Sequence, residues 1–321
     1  MSDYEPIKLN AFFRANHSTL WELADKSGVL ASLNMTLESL DACPSSNLAE
    51  DAIFGGKVDF VAGNHITPYY WVTQGKPIVC LASPSNSVKD RIVSRKPLAS
   101  LEEFKGKSLR IADSYMLDSF GGYQHPRGNH LLDIREAGFA DEDVQWVEVD
   151  DLQAPDFRKK ALAALNEGKA DIAFSGGNPD DLAKEGFYIL DLPTLPMVNG
   201  PTITTGYEAL YKKDRLAERL VKAAVLTIHY AKMHPDEAQK LLDARLGKPY
   251  TERGGRATGA IGRLPMKPYP STAAVANAYE LCVMHHPGTE TISPMALWDL
   301  HYLRDLDLSG FIDELVTEQD R

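Results

Sequence analysis

The sequence is poor in the features that most often announce a function. Its 321 residues include only three cysteines, Cys43, Cys80 and Cys282, odd in number and widely spaced. That excludes a disulfide framework and a cysteine-based zinc pattern, and the three read as reduced, partly buried side chains. Cys80 lies in the apolar run Ile78-Val79-Cys80-Leu81 and Cys282 has apolar helical neighbours. Cys43, beside Pro44 and just ahead of a helix, is the one thiol whose pKa a helix N-terminus would lower. No apolar run approaches the ~20 residues that span a bilayer, so no direct membrane insertion is expected. Positive charge is scarce too: 34 Lys and Arg against 45 Asp and Glu leave a net charge of −11. A general nucleic-acid binder needs a basic surface to displace counterions, so that class is set aside. The opening MSDYEPIKLNAFF has neither a basic n-region nor an apolar h-region. As written the chain reads as cytoplasmic, or as periplasmic if a signal was removed ahead of it. Nucleophile-elbow, His-Glu-x-x-His and dinucleotide-binding motifs are missing. The basic glycine-rich run from Arg253 to Arg263 lacks the Gly-Lys-Ser/Thr ending of a phosphate loop. No cofactor is expected.

What is present points to a large α/β protein. Hydrophobic residues make up 44% and charged residues 25%, a globular profile, and the length suggests about two domains. Strand signals at 7–12, 34–40, 58–62 and 77–82 alternate with helical signals at 19–30 and 45–54. The pattern restarts with strands at 108–112, 144–149 and 170–174 and helices at 129–137 and 155–166, with residues 113–128 between them as a loop. Residues 187–190 and 203–210 look extended, and the remainder is mostly helical (214–233, 235–246, 271–285). The stretch 254–270, rich in glycine and proline, reads as a loop that could act as a lid. Short apolar runs separated by helices indicate buried parallel strands with right-handed crossovers.

One internal similarity organises the rest. AIFGGKVDFVAGNH (52–65) matches ALNEGKADIAFSGGN (164–178): a helix end, Gly-Lys-x-Asp, a short apolar strand, and a loop with Gly and Asn. Two copies about one hundred residues apart imply two similar α/β lobes. These lobes, the Ser-Leu-Glu-Glu-Phe-Lys-Gly-Lys-Ser-Leu-Arg-Ile segment at 100–111 and the long helical end resemble the type II periplasmic-binding-protein fold. Within it the chain looks like the sulfonate/nitrate/taurine-type and thiamine-pyrimidine-precursor-type solute-binding proteins, whose tail residues 269–287 and 293–313 also resemble. The resemblance implies two doubly wound α/β lobes joined by a hinge, with a helical C-terminal region. Lobe 1 would comprise 1–85 with 205–321 and lobe 2 residues 86–204, with the ligand in the cleft between them. It implies a binding protein of an ABC-type importer, with a small organic anion (a sulfonate or aromatic carboxylate) as ligand and a membrane permease as partner. The fold also hosts small-anion decarboxylases and desulfinases, so a cytoplasmic enzyme on the same cleft stands as the alternative. The cysteine that desulfinase-like proteins carry in the loop after the first strand is missing here.

In doubly wound sheets ligands sit beyond the carboxyl ends of the strands, which selects four loops: 14–18, 64–67, 114–116 and 175–178. Arg14 can hold a carboxylate or sulfonate in a bidentate fork, with Arg127 as a second anion candidate. Asn16, Asn64, Ser114, Tyr115, Ser175, Gly176 and Asn178 are the small donors of these loops. His17 and His65 can bind ligand or, in an enzyme, act as general acid and base near neutral pH. Tyr69, followed by Tyr70 and Trp71, offers an aromatic wall, although at least one of these rings belongs to the core. His125 and His130 lack a third partner at metal-binding spacing, so no metal site is expected.

Overall fold

The computed structural model describes residues 4–14, 17–114, 125–150, 154, 156–174, 178–246 and 261–319. The chain opens with strand β1 (Ile7–Phe13), the helical turns α1 (Thr19–Lys26) and α2 (Val29–Ser32), then β2 (Met35–Ala42). The sequence reads 19–30 as one helix, but Gly28 takes a left-handed φ of 81° and splits it. Next come α3 (Ser46–Phe54), β3 (Phe60–Ala62), α4 (Pro68–Thr73) and β4 (Ile78–Ala82). Ser45 starts α3 by accepting a 3.2 Å hydrogen bond from the Leu48 amide.

Strands β5 (Ser85–Val88), β6 (Arg91–Ser94) and β7 (Leu109–Ser114) follow, then α5 (His125–Glu136) and β8 (Val144–Asp150). The expected loop over 113–128 is shorter at both ends: β7 runs to Ser114, and Pro126, Arg127 and Gly128 belong to α5. Proline in a first helical turn forfeits no hydrogen bond, which is why this Pro-Arg-Gly run can be helical. The chain continues through α6 (Phe157–Asn166), β9 (Ile172–Phe174), α7 (Pro179–Lys184), β10 (Tyr188–Asp191), β11 (Leu195–Asn199) and β12 (Ile203–Gly206). Residues 203–210 are therefore extended only to Gly206, and Tyr207–Lys212 forms α8. The tail is helical: α9 (Leu216–Met233), α10 (Pro235–Leu246), α11 (Thr272–His285), α12 (His301–Leu308) and α13 (Phe311–Gln319). Of the expected lid, residues 254–260 lie outside the described residues, and 261–262 are helical.

The contacts divide the chain into two compact units, Met1–Asn86 with Val198–Arg321, and Ser87–Met197. The first holds a five-stranded sheet in the order β2-β1-β3-β12-β4, the second one in the order β10-β6-β9-β7-β8. Reversing the second gives β8-β7-β9-β6-β10, the same plan strand for strand. In each, three parallel strands are followed by one antiparallel strand (β12 or β6) that the sequence reading did not place there. The strand comes from the segment that has just crossed between units, so the sheets are mixed rather than wholly parallel.

In the first unit Leu9, Ala11, Trp21, Phe60, Leu81 and Leu220 are fully buried in one core. Trp21 packs on Phe60 with ring centroids 4.5 Å apart, and burying such side chains contributes about 1.5–3 kcal/mol each. In the second unit both sheet faces are covered. Ala112, Val93 and Ala173 enter one cluster with α6, while their strand neighbours Ile111, Ile92 and Ile172 enter another with Ile134 of α5. This is the period of two of a strand buried on both sides.

The repeated Gly-Lys-x-Asp has the same task in each unit. Gly56 and Gly168 take φ of 63° and 69°, the left-handed turn between helix and strand. The aspartate then clamps the neighbouring strand: Asp59 accepts from the Asn10 amide at 2.8 Å and its own amide donates to the Asn10 carbonyl at 2.7 Å. Asp171 accepts from the Arg110 amide at 3.1 Å and donates to its carbonyl at 2.8 Å. A lysine or arginine completes each clamp, Lys213 on Asp59 at 2.7 Å and Arg110 on Asp171 at 2.8 Å.

Candidate functional site at the strand ends

Parallel pairing sets the last residues of three strands of the first unit side by side: Ala42 lies opposite Phe13, and Phe13 opposite Ala62. Cys43, Arg14 and Gly63 therefore leave the sheet together. The Arg14 amide donates to the Ala62 carbonyl and the Cys43 amide to the Phe13 carbonyl, both at 2.9 Å. The half-buried Arg14 side chain reaches across the strand ends, where its Nη1 donates to the Cys43 carbonyl at 3.1 Å. Its positive charge also acts on the Glu50 carboxylate. His17 is half-buried; its amide donates to the Arg14 carbonyl at 3.1 Å and its ring lies against Gly63. Asn64 and His65 are buried, each 3% exposed. Arg14, His17, Asn64 and His65 thus gather on one sheet edge of this unit.

The residue that organises this edge, Glu50, escapes sequence reasoning. It is fully buried on α3. Its Oε1 accepts from Asn64 Nδ2 at 3.1 Å and from the Thr67 hydroxyl, and its Oε2 accepts from the Trp71 indole N–H. Burial pushes its pKa up to about 7; the Thr67, Trp71 and Asn64 hydrogen bonds and the Arg14 charge only partly oppose this. A glutamate in an amphipathic helix normally reads as solvent face, and the sole hint was its place between Ala49 and the apolar Ala52-Ile53.

Tyr69 departs from the expected aromatic wall. It is fully buried, accepts a 2.9 Å hydrogen bond from the Trp298 indole and meets Tyr279 edge-on at 5.4 Å. Tyr70 and Trp71 are half-buried, and Trp71 serves Glu50. Cys43 is not an activated thiol: burial pushes its pKa up despite the Ser45 carbonyl contact and Arg14. Burial likewise raises Cys80 to about 12 and Cys282 to about 11.

The second unit carries a buried polar cluster on the equivalent strand. Asp113, fully buried near the end of β7, shares a 2.7 Å hydrogen bond with His130 Nδ1 and lies 3.6 Å from Arg127 Nη1. The His130 ring stacks on Phe174 at 3.8 Å, and the Arg127 guanidinium covers Trp146 at 3.6 Å. Arg127 is 1% exposed and donates to the Ser114 carbonyl at 3.0 Å, so its charge is taken up inside the unit. Asp90 and Asp133 complete the cluster. Burial and the Asp90 charge push Asp133 up to about 7, and burial raises Asp90. Burial opposes the charge on His130, yet Asp113, Asp90 and Asp133 outweigh it and raise the imidazole pKa.

Ser114 is fully buried, and its Oγ has no hydrogen-bond partner among the described residues. Asn178 is exposed and caps α7, its Oδ1 accepting from the Asp180 amide at 2.8 Å. Asn16, Tyr115, Ser175 and Gly176 lie outside the described residues, as does the side chain of His125. Among the described residues, no helix is long and apolar enough to cross a membrane.

No family model matches the sequence, and no curated protein matches it either. Solved structures do. A sulfonate ABC transporter's putative periplasmic sulfonate-binding protein from Methylobacillus flagellatus aligns with a TM-score of 0.64 at 15% identity, over 97% of each chain. The periplasmic aliphatic sulphonate-binding protein SsuA of Escherichia coli aligns at 0.58 with 14% identity, over 87% of each chain. A DszB mutant in complex with biphenyl-2-sulfinic acid aligns at 0.58 with 15% identity, over 93% of this chain and 98% of that one. The chain therefore has the two-unit α/β fold of the periplasmic solute-binding proteins.

Proposed function

We propose that this protein is a solute-binding protein for a small organic anion, a sulfonate or an aromatic carboxylate, and that it delivers its ligand to the membrane permease of an ABC-type importer. The observation that carries the reading is Arg14, fixed where β1, β2 and β3 end in register, with the buried loop of Asn64 and His65 beside it. A planar guanidinium at converging strand ends suits a two-oxygen anionic head group. Two of the structurally similar proteins are described as sulfonate-binding, which supports that anion class. His17 and Asn64 are the neighbouring groups we assign to the ligand, and Tyr69 supports the edge from the core.

Calorimetric titration with ethanesulfonate and with benzoate tests the reading. Binding of either, lost in Arg14→Ala, is the expected result. No heat and no rise in melting temperature with either anion would remove it, because a ligand of the native state must stabilise it by mass action. Chemical conversion of the bound anion, abolished in His17→Ala or His65→Ala, would replace transport by catalysis.

A further inference from the structure

We propose that anion capture at Arg14 is coupled to proton uptake by Glu50, with Thr67 and Asn64 forming the connection. This rests on the anion site proposed above and adds a mode of control to it. Glu50 is a buried carboxylate behind the loop that would receive the ligand, and the Arg14 charge, after the Thr67, Trp71 and Asn64 hydrogen bonds, helps to offset its own. An anion seated on Arg14 neutralises that compensation and sets a second negative charge near the first. The protonated form of Glu50 then becomes favoured. By linkage the reverse also holds: protonating Glu50 strengthens anion binding by the same factor.

The hydrogen-bond network supplies the path. With Glu50 ionised, the Thr67 hydroxyl donates to Oε1, and Asn64 Nδ2 donates to the same oxygen at 3.1 Å. Thr67 Oγ1 also lies 3.5 Å from Asn64 Oδ1. A proton arriving on Oε1 makes it a donor to Thr67 Oγ1, and the Thr67 hydroxyl turns to donate to Asn64 Oδ1. Trp71 keeps its bond to Oε2 throughout. One hydroxyl rotation thus carries the protonation state from α3 to the ligand loop, without bulk movement. The other titratable neighbours are accounted for. Cys43 precedes α3 and Cys282 comes from α11; burial raises both thiols, so both stay neutral near pH 7. Arg14 is permanently charged. His17 and His65 on the adjoining loops are the competing proton acceptors, and the His286 ring at the α11 end lies tilted against Tyr70 at 5.0 Å.

Titration with ethanesulfonate, which stays ionised throughout, reads the coupling directly. Calorimetry at pH 7 in Bis-Tris and in Tris should show proton uptake, at most about half a proton per anion bound, because a carboxyl titrating at about 7 is already half protonated there. Affinity should fall about fivefold from pH 6 to pH 8 if binding raises Glu50 by one pKa unit from its value of about 7. Glu50→Gln should abolish both the uptake and the slope. The wild-type proton count needs no variant, so it stands even if that variant folds poorly. Binding with no proton uptake and a flat pH profile would overturn the coupling and leave the anion site intact. A slope that persists in Glu50→Gln would hand the proton to His17 or His65 and overturn the role of Glu50. No binding at any pH would overturn the anion reading itself, and the coupling with it.

Discussion

Gly63 and His17 meet with no space for a side chain between them: a Cβ on Gly63 would lie 2.3 Å from His17 Cδ2 and 3.2 Å from the Gly200 carbonyl oxygen. Gly63 also takes φ of 92°, a left-handed conformation that other residues reach at a cost. Gly63→Ala should therefore destabilise the protein by about 2 kcal/mol through strain and a displaced His17 ring. Chemical denaturation measures it, and a change within 0.5 kcal/mol of zero would show that the edge is soft.

Arg14 separates geometry from charge. Arg14→Lys keeps the charge but loses the fork, so anion affinity should fall at least tenfold, and Arg14→Ala should fall further. Both should leave stability within about 1 kcal/mol of wild type, because the side chain is only half-buried and a hydrogen bond such as the one it gives the Cys43 carbonyl is worth about 1 kcal/mol net. Equal affinity in Arg14→Lys would mean that only a point charge is read.

The paired clamps predict paired losses. Asp171→Ala strips the Arg110 amide of its partner and should cost about 1–3 kcal/mol, felt in the second unit. Asp59→Ala should cost a similar amount in the first, through the Asn10 amide and Lys213. Hydrogen exchange at Asn10 and Arg110 in the two variants assigns each loss to its own sheet.

Stability should rise as pH falls from 8 to 6. Asp133, near 7 when folded against 3.8 ordinarily, keeps a proton that the unfolded chain has released, so folding weakens as pH climbs towards 7 and then levels. His130 acts in the same direction. Its raised pKa favours the charged folded form, a gain present below its ordinary value of 6.5 and lost as pH rises through the folded value. With solvent screening discounted, the Asp133 share between pH 6 and pH 8 is about 1 kcal/mol. Asp133→Asn should reduce the slope of stability against pH in this window, read from denaturation midpoints; an unchanged slope would exonerate Asp133.

The sequence alone determined the two-unit plan, because its signals are local. Gly-Lys-x-Asp ends a helix and starts a strand at both places where it occurs in this chain, and the two copies mark two equivalent sheets. The strand end before Gly63 followed from an apolar run, the one before Arg14 was read one residue early, and the one at Ser114 two residues early. Only the tertiary structure decided which charges are inside. Glu50 sits on a helix like any solvent-facing glutamate, and its burial depends on Asn64, Thr67 and Trp71 arriving from another loop and helix. Arg127 reads as a ligand contact until Asp113 and Trp146 close around it, and Tyr69 as a wall until Trp298, far along the chain, claims its hydroxyl. Strand β6, and the antiparallel place of β12 within its sheet, were hidden for the same reason: pairing partners distant in sequence leave no periodic trace, since desolvation and strand neighbourhood are properties of the assembled fold.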